Sequence, residues 1–304
     1  MRKIISIIFI FIFILSFIQM CCIPQFKGEI EPAFSPNVVL EDITENTTVS
    51  QTNFTYKKDH KDTLEDLKNN ITNLVGDRIN SFSLIYYEIV SHDAIEINPD
   101  NYYKPASTFK VPLNMYLYDE AFANEIDIDG SMTYYSGDYE EGSGVLQDDK
   151  IDMLNDPIKL KTLSEYSIVY SDNIATNMLI RYLGYNNVLS YMEEVSGIPI
   201  TDCNYVTPQM MLPILLKLYT NPNKNPYYDT VINYMKNTIF HDRIDALIPQ
   251  NIVAHKIGDF ESYANDIGIV YTGKPYIIIF YTDGFEYETL AEISKMIYDF
   301  NIEE

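Results

Sequence analysis

Apolar runs of strand length stand at both ends of the folded part of this chain, and helical patterns fill the ground between them. Residues 81–90 are apolar and aromatic, and residues 94–97 follow after the turn-like Ser91-His92-Asp93. The last third returns to the same pattern at residues 251–256, 267–271 and 276–282, with turns at Gly273-Lys274-Pro275 and Asp283-Gly284. The spacing between the two sets is helical. Strands from both ends predict an α+β fold: one antiparallel sheet formed by both chain ends, flanking helices, and an all-α subdomain inserted in the middle.

Helix signals are placed to match. Thr63-Leu-Glu-Asp66 has the form of a capping box, and Leu64, Leu67, Ile71, Leu74 and Val75 follow at helical spacing up to Gly76. Thr162-Leu-Ser-Glu165 reads as a second capping box. Residues 174–183 keep a helical period to Gly184, and Thr207-Pro208 sets a cap before a proline at the first helical position. A closing amphipathic helix carries Leu290, Ile293, Ile297 and Phe300.

The amino terminus belongs to a different category. Arg2 and Lys3 precede residues 4–18, an apolar run interrupted only by Ser6 and Ser16, which is the order of a signal peptide. Cys21 and Cys22 follow, as at a lipoprotein site, although Met20 is larger than the residue such sites favour. Residues 4–23 are also about long enough to anchor in a bilayer. Residues 1–23 are therefore expected to be a signal peptide or membrane anchor, and the remainder to be exported. Residues 24–60, rich in Pro, Asn, Thr and Glu, read as a disordered tether, and the folded domain as 61–304. Within it the α/β part is expected at about 61–103 and 237–304, and the all-α part at about 104–236.

Composition narrows the partners. The formal charge of −23 repels nucleic-acid backbones, so nucleic acid is not expected as a partner. Three cysteines, two of them in the targeting segment, exclude a disulfide framework and leave Cys203 as a small structural residue. The four histidines, His60, His92, His241 and His255, have no metal-site spacing, and His255 reads as an edge-strand residue without a catalytic role. No metal and no cofactor are expected, and a monomer is the default.

Three short motifs carry chemistry. In Ser107-Thr-Phe-Lys110, a helical turn puts the lysine on the face of the serine, whose hydroxyl is inert without a base. A neutral Lys110 needs burial or a nearby cation to lower its pKa. Ser171-Asp-Asn173 falls at the break between two helices: Ser171 has the chemistry to relay a proton and Asn173 to hold an amide, while plain N-capping by Asp172 or Asn173 explains the same residues. His255-Lys-Ile-Gly258 ends a strand, where Lys256 supplies a cation and Gly258 allows close backbone approach. The segment from Asp138 to Gln147 has two glycines but follows no predicted strand; it reads as a loop at the rim of the site, with Tyr139 or Glu141 facing substrate.

The order Ser-x-x-Lys, Ser-Asp-Asn, Lys-x-Gly resembles that of class A β-lactamases and penicillin-binding proteins. Flanking stretches extend the likeness over roughly residues 60–300: Lys104 to Pro112, Leu163 to Gly184, Thr207-Pro208, Asp242-Arg243-Ile244, Val253 to Gly258 and Asn265-Asp266-Ile267. The resemblance implies that Ser107 is acylated with Lys110 as base or proton partner. It implies that Ser171 passes the proton to the leaving nitrogen with help from Lys256, and that Asn173 binds the acyl amide. Gly258 would flank the substrate, and the N–H groups of Ser107 and Asp259 would form the oxyanion hole.

Three departures set expectations about turnover. Residues 196–206, where the family carries a deacylating glutamate, contain no Glu and only Asp202 as carboxylate. Ile257 replaces a hydroxyl residue that would bind a substrate carboxylate, a loss of about 1–3 kcal/mol. Asp259 would repel an anionic group unless Lys256 or Arg243 compensates. The expectation is a β-lactamase-like serine hydrolase acting on a β-lactam or related amide or ester, with slow deacylation. The alternatives are a cell-wall D,D-peptidase or transpeptidase, and a non-turnover sensor of lactam or peptidoglycan.

Overall fold

The structure is a computed structural model that describes residues 63–147 and 156–303. The expected targeting segment and tether at 1–60 lie outside the described residues. Among the described residues, no helix is long and apolar enough to cross a membrane.

Helix α1 (Leu64–Val75) starts as its sequence predicts. Thr63 caps it through the N–H of Asp66, and the Asp66 carboxylate returns a bond from the Thr63 N–H. Strands β1 (Phe82–Glu88) and β2 (Ala94–Ile97) pair antiparallel, and β1 also pairs with β7 (Tyr276–Thr282). Strands β5 (Val253–Phe260) and β6 (Tyr263–Val270) complete a sheet of order β2-β1-β7-β6-β5. Chain start and chain end thus meet in one antiparallel sheet.

The apolar runs of β1 and β7 lack polar alternation because both faces of the sheet are covered. Ile277, Ile279 and Tyr281 join one core with the central helices. Ile278 and Phe280 join a second core with Leu67 and Ile71 of α1 and with Leu290, Ile293 and Ile297 of the last helix, α8 (Tyr287–Glu303). Each such side chain, fully buried, contributes about 1.5–3 kcal/mol.

Between the two halves of the sheet lie α2 (Lys110–Phe122), α3 (Leu160–Val169), α4 (Asn173–Leu183), α5 (Tyr185–Ser196), α6 (Pro208–Thr220) and α7 (Tyr228–Lys236). A ladder of two residues per strand, β3 (Ser131–Met132) with β4 (Ile158–Lys159), sits among them. That ladder moves the start of α3. The helix begins at Leu160, straight after β4, so Thr162 lies inside it and the expected capping box at Thr162 does not form. Thr207 does cap α6 through the Met210 N–H, with Pro208 in the first turn.

Candidate active site

Ser107 lies on a 3-10 turn, Ala106–Phe109, that runs without a break into α2. Ala106, directly before it, has φ +47°, a left-handed conformation uncommon for a residue with a Cβ. The turn is held by Thr108, whose N–H and hydroxyl both donate to the Pro105 carbonyl, at 3.1 and 2.7 Å. The same hydroxyl lies 2.7 Å from the buried Tyr281 hydroxyl on β7, tying the turn to the sheet. Ser107 itself is half-buried.

Strand β5 packs against this turn from the sheet edge. A Cβ built on Gly258 would stand 2.7 Å from the Pro105 carbonyl oxygen and 3.0 Å from the Thr108 nitrogen, both backbone atoms. Glycine is therefore required for β5 to approach the Ser107 turn this closely.

The lysines converge on the Ser171 turn. Lys110 Nζ donates to the Ser171 carbonyl at 2.7 Å and to Asn173 Oδ1 at 2.8 Å, with Ser171 Oγ at 3.3 Å. Lys256 Nζ donates to Ser171 Oγ at 3.0 Å and to the Ile257 carbonyl at 2.9 Å. One serine hydroxyl is thus shared by two buried amines. Burial pushes the Lys110 amine down to about 7, against the pull of Glu140 and Asp172. Burial, reinforced by Lys110, also holds Lys256 well below the ordinary lysine range. A neutral amine has two N–H donors and one lone pair. The two short bonds from Lys110 match those two donors, and Ser171 Oγ at 3.3 Å occupies a third position around the nitrogen.

Asp172 settles the two readings of the second motif. Its carboxylate caps α4 through the Ala175 N–H at 2.9 Å and also accepts the Val145 and Leu146 N–H groups at 2.7 and 2.8 Å. Capping is thus the work of Asp172, while Asn173 is turned to Lys110. Ser171 has φ +52°, which lets the chain turn sharply between α3 and α4 and aim its hydroxyl at the lysines.

The loop expected at the rim lies against this motif. Ser143 accepts the Asn173 N–H at 3.0 Å, and a Cβ on Gly144 would fall 2.3 Å from Asp172 Oδ2. Tyr139 and Glu141 are exposed on it. Glu140, not singled out from sequence, acts on Lys110 together with Asp172; it also accepts from Asn177 Nδ2 at 2.9 Å. Its neighbour Glu141 carries the same composition signal, so only the fold distinguishes them.

Asp259 does not stand unopposed. Arg243 Nη2 lies 2.7 Å from its Oδ2, and the Tyr287 hydroxyl donates to Oδ1 at 3.1 Å. Arg243 is fully buried, bonded to the Asn265 carbonyl and stacked 3.8 Å from the Tyr287 ring centroid. The compensation anticipated for Asp259 is supplied by Arg243. Asp202 is exposed, and its Oδ1 accepts the backbone and side-chain N–H of Asn204 at 2.9 and 3.1 Å. The Ile257 side chain is buried and brings no hydroxyl. His255, expected as an inert edge-strand residue, is wholly buried with Nδ1 2.9 Å from Asp266 Oδ2.

The sheet topology and its flanking helices are those of the β-lactamase/transpeptidase fold. Residues 66–301 match the beta-lactamase enzyme family, and the chain belongs to that family. Among solved structures, PBP-A superposes with a TM-score of 0.72 at 21% identity, covering 79% of this chain and 97% of its own. The TLA-3 extended-spectrum β-lactamase gives 0.72 at 23%, covering 79% and 100%. A β-lactamase from Chitinophaga pinensis DSM 2588 gives 0.69 at 18%, covering 77% and 98%. No curated protein matches the chain in sequence.

Proposed function

We propose that this hydrolase works through an acyl-enzyme on Ser107, formed with a β-lactam or a related amide or ester and released slowly. The observation that carries the reading is the setting of Lys110: one helical turn from Ser107, buried, bonded to the Ser171 carbonyl and to Asn173, with its pKa brought to about 7. Lys110 takes the Ser107 proton as the hydroxyl oxygen attacks the carbonyl carbon. The N–H groups of Ser107 and Asp259 stabilise the oxyanion. Ser171, bonded to Lys256, hands a proton to the leaving nitrogen as the amide bond breaks. Asn173 and the β5 edge at Gly258 hold the acyl side chain. Residues 197–206 contain no glutamate, and Asp202 is held in a local turn, so water attack on the ester lacks the family's base.

A cell-wall D,D-peptidase or transpeptidase would use the same residues. The lack of glutamate in residues 196–206 favours it over a penicillinase, and the buried Ile257 in place of a carboxylate-binding hydroxyl disfavours it. One solved structure similar to this chain, a point mutant of PBP-A, is an acyl-enzyme complex with penicillin G. Residues 4–18 with Cys21 and Cys22 support export and attachment to the outer face of the membrane.

The test is incubation of the full chain with benzylpenicillin, following intact mass and lactam absorbance. One penicillin is expected to add per chain and to persist over many minutes, and Ser107→Ala is expected to add none. Rapid lactam loss without an adduct would overturn slow release. No adduct with any lactam would overturn the lactam reading.

A further inference from the structure

A second cluster stands away from the two-lysine site. Successive side chains of a strand point to opposite faces, so His255 leaves β5 on the side away from its neighbour Lys256. There it meets His241 and Asp245 from the segment between α7 and β5. One ligand-type atom from each of His241, Asp245 and His255 lies within 4.8 Å of the other two. His241 Nδ1 is 2.5 Å from Asp245 Oδ2, and His255 Nε2 is 3.3 Å from the same oxygen. Four-coordinate bonds of about 2.1 Å put neighbouring ligand atoms about 3.4 Å apart, so a sub-ångström opening of the His241–Asp245 contact makes room for an ion.

Two buried atoms of the cluster make no hydrogen bond. His255 Nε2 and Asp245 Oδ1 have no such partner among the described residues, although His255 and Asp245 are almost wholly buried. The other ring nitrogen of His255 is held by the Asp266 carboxylate, with Nδ1 3.0 and 2.9 Å from its two oxygens. Asp266 is in turn fixed by the Ile244 N–H at 3.1 Å. A carboxylate behind one imidazole nitrogen, with the opposite nitrogen turned to a second ligand-type oxygen, is how metal-binding histidines are oriented; here that nitrogen faces Asp245 Oδ2, and the ion takes the place of the proton between them. The His241 side chain is about a third exposed, which leaves an entry path and an open position for water.

We propose that His241, Asp245 and His255 bind a divalent first-row transition metal, with Asp266 orienting His255. Two imidazole nitrogens and one carboxylate oxygen, with no thiolate, suit zinc or cobalt and not calcium or magnesium. The ion staples the 237–250 segment to β5. That segment also supplies Arg243, the partner of Asp259, so the staple stiffens the strand that carries Lys256 and Gly258.

The test is titration of the untagged, chelator-treated full chain with Co²⁺, read by visible absorption and metal analysis. One cobalt per chain with tetrahedral or five-coordinate bands is expected, together with a raised unfolding temperature. His241→Ala, at a partly exposed position that tolerates truncation, is expected to abolish the bands while the far-UV circular dichroism stays unchanged. Asp266→Asn is expected to weaken binding about 10–100-fold. Binding that survives His241→Ala unchanged would overturn the assignment. So would a chain that takes up no stoichiometric cobalt or zinc; the cluster is then a proton-bridged ion network only. Ser107→Ala is expected to take up cobalt as the parent chain does, so failure of the metal site and failure of the serine reading are told apart.

Discussion

The proposed chemistry turns on Lys110. Burial takes its pKa from 10.5 to about 7, so the neutral amine becomes the main form as pH rises through about 7. A lysine acting as base then makes lactam acylation rise through that pH and level off above it. A rate that falls over the same range, measured by adduct formation at a series of pH values, would rule out the neutral amine as base. Lys110→Met is expected to slow acylation by about 10²–10⁴ and to leave the circular dichroism unchanged. Asn173 illustrates how little the chain pattern says at this level. Its position beside a helix start suits a cap, and the bond that decides its role crosses 63 residues of sequence to Lys110.

The β5 strand and the Ser107 turn act as a pair, and Gly258 is where they touch. A methyl group at that position meets backbone at 2.7 and 3.0 Å, and neither atom belongs to a flexible side chain. Gly258→Ala is therefore expected to push the strand off the turn. The stability cost is about 1–3 kcal/mol by urea unfolding, and adduct formation should slow by more than tenfold. Equal rates in the two proteins would show that the approach of β5 is not needed. The rim loop offers a second such junction. Asp172→Ala removes the cap of α4 and the acceptor for two loop N–H groups, and about 1–3 kcal/mol of stability is expected to go with it. An unchanged urea midpoint would mean that the loop finds other partners.

At the scale of the domain, helices α2, α5, α6 and α7 meet at one carboxylate. Asp119 of α2 accepts from Tyr191 on α5, Lys217 on α6, Tyr228 on α7 and Asn225 just before α7, at 2.7 to 3.0 Å. It stands on the same helix as Lys110, nine residues further along. Asp119→Ala leaves a partly buried lysine unpaired and several donors unmet. A loss of about 2–4 kcal/mol in urea is expected, with the acylation rate of the folded fraction unchanged. A changed acylation rate at full folding would instead tie the hub to the chemistry.

The five strands of the main sheet and the starts of α1, α4 and α6 could be read along the chain, because periodicity and capping are local properties of neighbouring residues. The Thr63 box, the Thr207 cap and the break at Ser171 all depend on contacts within four residues. The nucleophile motif could be read in the same way, since Ser107 and Lys110 are one turn apart. What depends on burial or on distant partners could not. The lowered pKa of Lys110 needs the packing around it, and the neutralisation of Asp259 needs a buried arginine 16 residues upstream. The misplaced box at Thr162 has the same origin: a strand pairing with Ser131–Met132, outside the window of any helix signal, set where α3 begins. His241, Asp245 and His255 showed no metal spacing because their meeting is made by a segment folding back on β5. Local pattern sets what each stretch of chain can become; only the close packing of stretches far apart in sequence sets charge, proton affinity and which polar atoms are left without a partner.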